Sequence, residues 1–338
     1  MKEINSASMR KRGMVIAVTT LMAMSAFLSV AVTPIALAAP QGAFAVFGQC
    51  PTSIPGVALC QYTEITSGEL VVGPMRIPID KTIVLQGGAI PTGGPNFNEY
   101  FELPAVNGES VSPTELDVPG GLRSVIGCHD IGHRDLIQAR ARNACRGFSH
   151  GRGNDLTARI EPVASPTNPG IMNLADLVEE KGAGLIFPIR IHLKNPLLGE
   201  ACYLGSEAHP IELRLTDGTT NPPPPNQPIT GKLGTPKSVV EEGYEATTIT
   251  DVTLLDNAFS VPPAEGCAGH LAPIIDPLID HTLGLESEAG HNTAILTGTH
   301  RIAETEAVLA SETFPTKENP PPSPPHHHHH HHWWWSAH

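Results

Sequence analysis

Ile189-Arg190-Ile191-His192-Leu193-Lys194 alternates apolar and polar side chains with a period of two. Ile211-Glu212-Leu213-Arg214-Leu215-Thr216 repeats the pattern and stops at Asp217-Gly218. Successive side chains of a strand point to opposite faces, so this alternation describes a sheet with one buried and one wet face. Outward from these runs, residues 69–72, 76–79 and 81–86 are short β-patterned segments set apart by Gly73-Pro74 and closed by Gly87-Gly88. Residues 156–160, 247–254 and 293–299 are further strand candidates. Helical pattern is scarcer. It covers 135–146, then 174–180 with Gly182 as its stop, and 271–285, which Pro277 should bend. Many short strands with few helices predict a mainly β chain, a β-sandwich or barrel-like single domain carrying a few short helices.

The ends read differently. Arg10-Lys11-Arg12, an apolar run over 14–32 and Ala36-Leu37-Ala38 form the pattern of a secretory signal over 1–38. Its removal would leave a domain over 39–312, secreted and not held in a membrane. Asn221-Pro222-Pro223-Pro224-Pro225-Asn226 opens a stiff Pro-rich loop at 221–228. The stretch 313–338 is Pro-, His- and Trp-rich, cannot build a core, and is expected to stay disordered. Six cysteines follow the signal, an even number that fits disulfides in an exported chain. Proximity pairs Cys50 with Cys60 and Cys128 with Cys145, leaving Cys202 for Cys267, three bridges in all.

Composition narrows the function. The net charge is −13, and losing 1–38 removes Lys2, Arg10, Lys11 and Arg12 against Glu3 alone, so the remainder is more acidic still. Such a surface repels phosphate backbones and anionic headgroups, which argues against nucleic acid and membrane partners. All three tryptophans lie at 333–335, so the domain lacks the indole platforms that stack sugars or bases.

The run Leu193-Lys194-Asn195-Pro196-Leu197-Leu198-Gly199, continuing into Cys202-Tyr203-Leu204-Gly205-Ser206, resembles an uncharacterised family of secreted actinobacterial proteins. Residues 215–220, Asp256-Asn257-Ala258-Phe259, Gly266-Cys267 and Asp276-Pro277-Leu278-Ile279 share the likeness, which spans about 45–305. The resemblance implies export and paired cysteines. It brings no activity.

Several motifs imitate chemistry. Gly147-Phe148-Ser149-His150-Gly151 matches the G-x-S-x-G nucleophile elbow. That turn needs a buried strand before it, and Arg140 and Arg142 occupy the place of one. His133-Arg134-Asp135-Leu136 copies a kinase catalytic loop without its later asparagine, since position 140 is Arg140. Cys128, His129, His133, Cys145 and His150 have the residue types of a zinc site. A Cys128–Cys145 disulfide would consume both thiolates, and residues five apart on a helix lie about 140° apart. Asp276, Asp280 and His281 read as a solvated helix face, and His192 as the polar half of a strand. His326, His327, His328, His329, His330, His331 and His332 could bind Zn, Cu or Ni ions.

These readings add up to a secreted, non-enzymatic structural or binding protein with an extracellular partner and no cofactor. The alternative is metal binding through the histidine tail. A serine hydrolase at Ser149 is the third reading.

Overall fold

A computed structural model describes residues 39–95, 98–127, 136–148, 151–163 and 169–315. Among them run fourteen strands. The first seven are β1 (Leu59–Val72), β2 (Met75–Pro78), β3 (Ile83–Pro91), β4 (Glu99–Pro104), β5 (Leu116–Asp117), β6 (Thr157–Pro162) and β7 (Ile171–Asn173). The rest are β8 (Leu185–Lys194), β9 (Tyr203–Leu204), β10 (Ile211–Leu215), β11 (Thr235–Glu241), β12 (Tyr244–Asp256), β13 (Ala264–Glu265) and β14 (Thr293–Glu304). Helices α1 (Leu136–Phe148), α2 (Leu174–Glu179), α3 (Ala272–Leu283) and α4 (Thr305–Ser311) punctuate them.

All strands join one antiparallel sheet whose main path is β11-β12-β14-β1-β3-β4-β7-β8-β6-β5. The chain is therefore mainly β, built on one large sheet. Its path is open, ending at β11 and β5. Strand β8 is the hub: β7 and β6 pair along one of its sides, β10 and β9 along the other. Beyond β10, Thr216 and Leu255 of β12 exchange backbone hydrogen bonds of 3.0 and 2.8 Å, an isolated bridge rather than a ladder.

Alternation in the strands sorts the side chains. Ile189, Ile191 and Leu193 of β8 face inward and are fully buried, as are Ile211, Leu213 and Leu215 of β10. They join Ile77, Leu116, Leu122, Ile126, Leu204, Ile279 and Leu283 in the main core, with α3 supplying the last two. A smaller core lies on the opposite face of β1. There Phe44 and Phe47 from the 3₁₀ turn Gly42–Phe47 meet Cys60, Ala303 and α4.

Two disulfides occur among the described residues, Cys50–Cys60 and Cys202–Cys267. Of the expected third, Cys128 and the side chain of Cys145 lie outside them. Helix α2 stops earlier than Gly182. Glu180 takes the left-handed cap conformation with φ 54°, and Asn173 accepts from the N–H groups of Ala175 and Asp176 at the other end. Pro277 sits inside α3, and Gly284 supplies the left-handed residue that ends it.

The Pro-rich loop is tied down rather than free. The Asn226 side chain donates to the carbonyls of Asn257 at 2.9 Å and Asn292 at 2.8 Å.

Candidate functional site: an apolar cavity with three buried polar groups

Where α3 does not fill the inner face of the sheet, a cavity of about 370 Å³ remains. Period-two positions build its wall: Gln61, Thr63 and Ile65 on β1, Ile83 and Leu85 on β3, and Leu185 and Phe187 on β8. Leu213 and Leu215 of β10, with Leu296, Gly298, His300 and Ile302 of β14, continue it. On β12 the inward set is Ile249, Val252 and Leu254. The register slips between Ile249 and Val252, where Asp251 has φ 57°. That β-bulge re-aims the strand so both of its halves line the cavity. Leu174, Leu177 and Val178 of α2 close one end, and the exposed Pro104, Gly108 and Val178 mark the rim.

Three titratable groups lie in this apolar wall. Glu102 projects from β4 with its Oε1 out of water and without a hydrogen-bond partner. Burial pushes its carboxyl up to about 7, against a hydrogen bond from Gln61 that favours the ionised form. Gly170 makes room for it, because a Cβ there would stand 3.1 Å from both Cβ and Cγ of Glu102. His300 shares a 2.8 Å hydrogen bond between Nδ1 and the Thr63 hydroxyl, while its Nε2 has no partner. Burial lowers its pKa to about 4, so the ring is neutral at pH 7. Asp217, 1% exposed, has two carboxylate oxygens that accept nothing from any other residue. Burial, with the charge of Glu180 adding to it, outweighs its own backbone N–H and raises its pKa to about 6. No lysine or arginine is among the described lining residues.

The opposite face of the sheet carries a separate ionic cluster. Glu161 of β6 pairs with Arg159 and with Arg190, the latter at 2.9 Å, and its Oε1 lies 3.2 Å from His192 Nδ1. Burial alone would raise the Glu161 pKa, but the two arginines outweigh it and hold it below the ordinary range. Tyr203 covers the group, its ring 4.5 Å from His192 and 4.2 Å from the Arg190 guanidinium.

The residues singled out in the sequence fall elsewhere. His192 is not on the surface: it is 5% exposed, because Tyr203 from the paired strand β9 roofs it. Asp276 and Asp280 are not a solvated face either. Asp276 accepts from the N–H groups of Gly266 and Cys267 at 3.1 and 2.8 Å, and Asp280 from that of Ala264 at 2.7 Å, so both brace the Cys267 turn. His281 is exposed. Cys128, His129, His133, Ser149 and His150 lie outside the described residues, as do His326 to His332. Among the described residues, no three His, Cys, Asp or Glu side chains are grouped to hold a metal ion, and no helix is long and apolar enough to cross a membrane.

Glu102, Asp217 and His300 went unread in the sequence. The available signal was a lone acid inside the apolar run Tyr100-Phe101-Glu102-Leu103 and a lone histidine among the small residues of β14. Comparison with family models, curated proteins and solved structures finds no match to this chain.

Proposed function

We propose that this chain is an exported, non-enzymatic binding protein that holds one small apolar molecule in the cavity between β1, β8, β12 and β14. In this reading the sheet acts as a barrel-like wall, with the Thr216–Leu255 bridge bringing β10 up to β12. The observation that carries it is the size of the apolar void. An apolar wall left facing water or empty space forgoes the burial and the dispersion contacts that the rest of the inner face makes. An occupant covering that wall restores both, so an apolar void of about 370 Å³ points to a bound molecule. The volume also falls within the range of small-molecule sites, and an apolar lining with a few polar groups is their usual make-up. Export is supported by the signal pattern over 1–38 and by the disulfides.

The test is a fluorescence titration of the full exported chain with N-phenyl-1-naphthylamine, an uncharged dye that brightens in apolar surroundings. Saturable binding of one dye per chain is expected, with loss of affinity in Leu254→Trp, which fills the cavity from β12. Non-saturable brightening, or saturable binding that Leu254→Trp leaves untouched while the variant keeps wild-type circular dichroism, refutes the proposal.

A further inference from the structure

Resting on that reading, we propose that the ligand is an apolar amine whose ammonium group pairs with Asp217 at the α2 end of the cavity. The wall offers a head group two carboxyls, a neutral imidazole, the amides of Gln61 and Gln86 and the hydroxyls of Thr63, Ser110 and Thr299, and no lysine or arginine among the described lining residues. A carboxylate or phosphate head would find nothing to neutralise it there. A hydroxyl head could bond one oxygen of Asp217, but it carries only one hydrogen to give. An ammonium has three, enough for both unpartnered oxygens, and charge-assisted bonds are roughly twice as strong as neutral ones.

The surroundings reinforce the sign. Gly218 lets the end of α2 press close, since a Cβ there would meet the Glu180 carbonyl oxygen at 2.0 Å. Glu180 thereby sets a second negative charge near Asp217. On the segment packed alongside through Gly231, the charged residue is Lys232, and it is exposed to solvent. An arriving ammonium relieves the repulsion between the two acids, whereas an anion adds to it.

The experiment displaces N-phenyl-1-naphthylamine from the full chain with dodecylamine, dodecanol and dodecanoate, three ligands of one chain length. At about pH 8, dodecylamine should displace the dye at about tenfold lower concentration than dodecanol, and dodecanoate should be weakest. The amine's advantage should collapse in Asp217→Asn. In Glu102→Gln, where Asp217 is the one carboxyl left to titrate among the described lining residues, it should also shrink at about pH 5, where Asp217 takes up a proton, while dodecanol is unaffected. The pH series keeps the test decisive if Asp217→Asn fails to fold. Equal displacement by all three heads, or a preference for dodecanoate, overturns the amine assignment and leaves the cavity reading standing. An amine preference that survives both Asp217→Asn and acidification overturns the role of Asp217. A chain that binds neither the dye nor any of the three overturns the cavity reading and this inference with it.

Discussion

Replacing Glu102 by Gln should change how stability depends on pH more than it changes stability itself. The Glu102 carboxyl has a pKa of about 7 in the folded chain against an ordinary 4.5. Between those values the folded protein holds a proton that the unfolded chain has released. The contribution to stability is therefore whole below about pH 4.5 and is lost as pH rises through about 7. At roughly 1.4 kcal/mol per pKa unit, the loss amounts to about 3 kcal/mol, an upper bound because water at the cavity rim screens the charge. His300 works in the opposite direction. Its depressed pKa makes the fold lose stability as pH falls from 6.5 toward about 4. That contribution, like the one from Asp217, is common to both proteins and cancels in their difference. Urea unfolding of wild type and Glu102→Gln at intervals from about pH 4.5 to 8 measures that difference directly. Relative to the variant, wild type should lose about 2–3 kcal/mol across the series. A difference that stays constant with pH would mean that Glu102 is solvated in the fold, and the cavity wall would have to be redrawn.

Other consequences are simpler to check. Joint replacement of Cys202 and Cys267 by alanine frees a segment spanning 65 residues in the unfolded chain and should lower stability by about 4 kcal/mol, read as a drop in the urea midpoint. Asp276→Ala strands the N–H groups of Gly266 and Cys267 and should cost about 1–3 kcal/mol; Asp276→Asn, which keeps one acceptor oxygen, should cost less. Tyr203→Ala unroofs His192 and Arg190 on the outer face. Thermal unfolding should register about 1–2 kcal/mol of lost stability, with dye affinity unchanged because the cavity lies on the other face.

The parts of the fold that the sequence disclosed are those whose signal is local. Period-two alternation marks β8 and β10 because one face of each is wet, and the same rule set the direction of His192. It could not foresee Tyr203, which arrives from β9 through pairing at a distance. Strand β1 runs from Leu59 through Gly68 before reaching the stretch at 69–72 that the sequence discloses. The overlooked half carries Gln61 and Thr63, polar residues that face the cavity and so break the expected alternation. The local pattern discloses helix α2, but the helix stops at Glu180 rather than at Gly182, because Glu180 takes the left-handed conformation despite its side chain. The site was illegible for a physical reason. Glu102, Asp217 and His300 come from three distant segments and share no spacing. Only the curvature of a sheet running from β12 through β14, β1, β3, β4, β7 and β8 to β10 brings them to one void. Their meaning lies in what they lack, a partner, and a sequence does not print that.

The Cys202–Cys267 bridge straddles the exposed loop at 221–228. A protease entering at that loop would sever the backbone without separating the pieces, since the sulfurs still join the half that ends in β10 to the half that begins with β11. The nicked protein would migrate as one species until reduced and as two afterwards. A chain cut at this exposed loop would thus still keep β10 against β12, with the cavity wall between them intact.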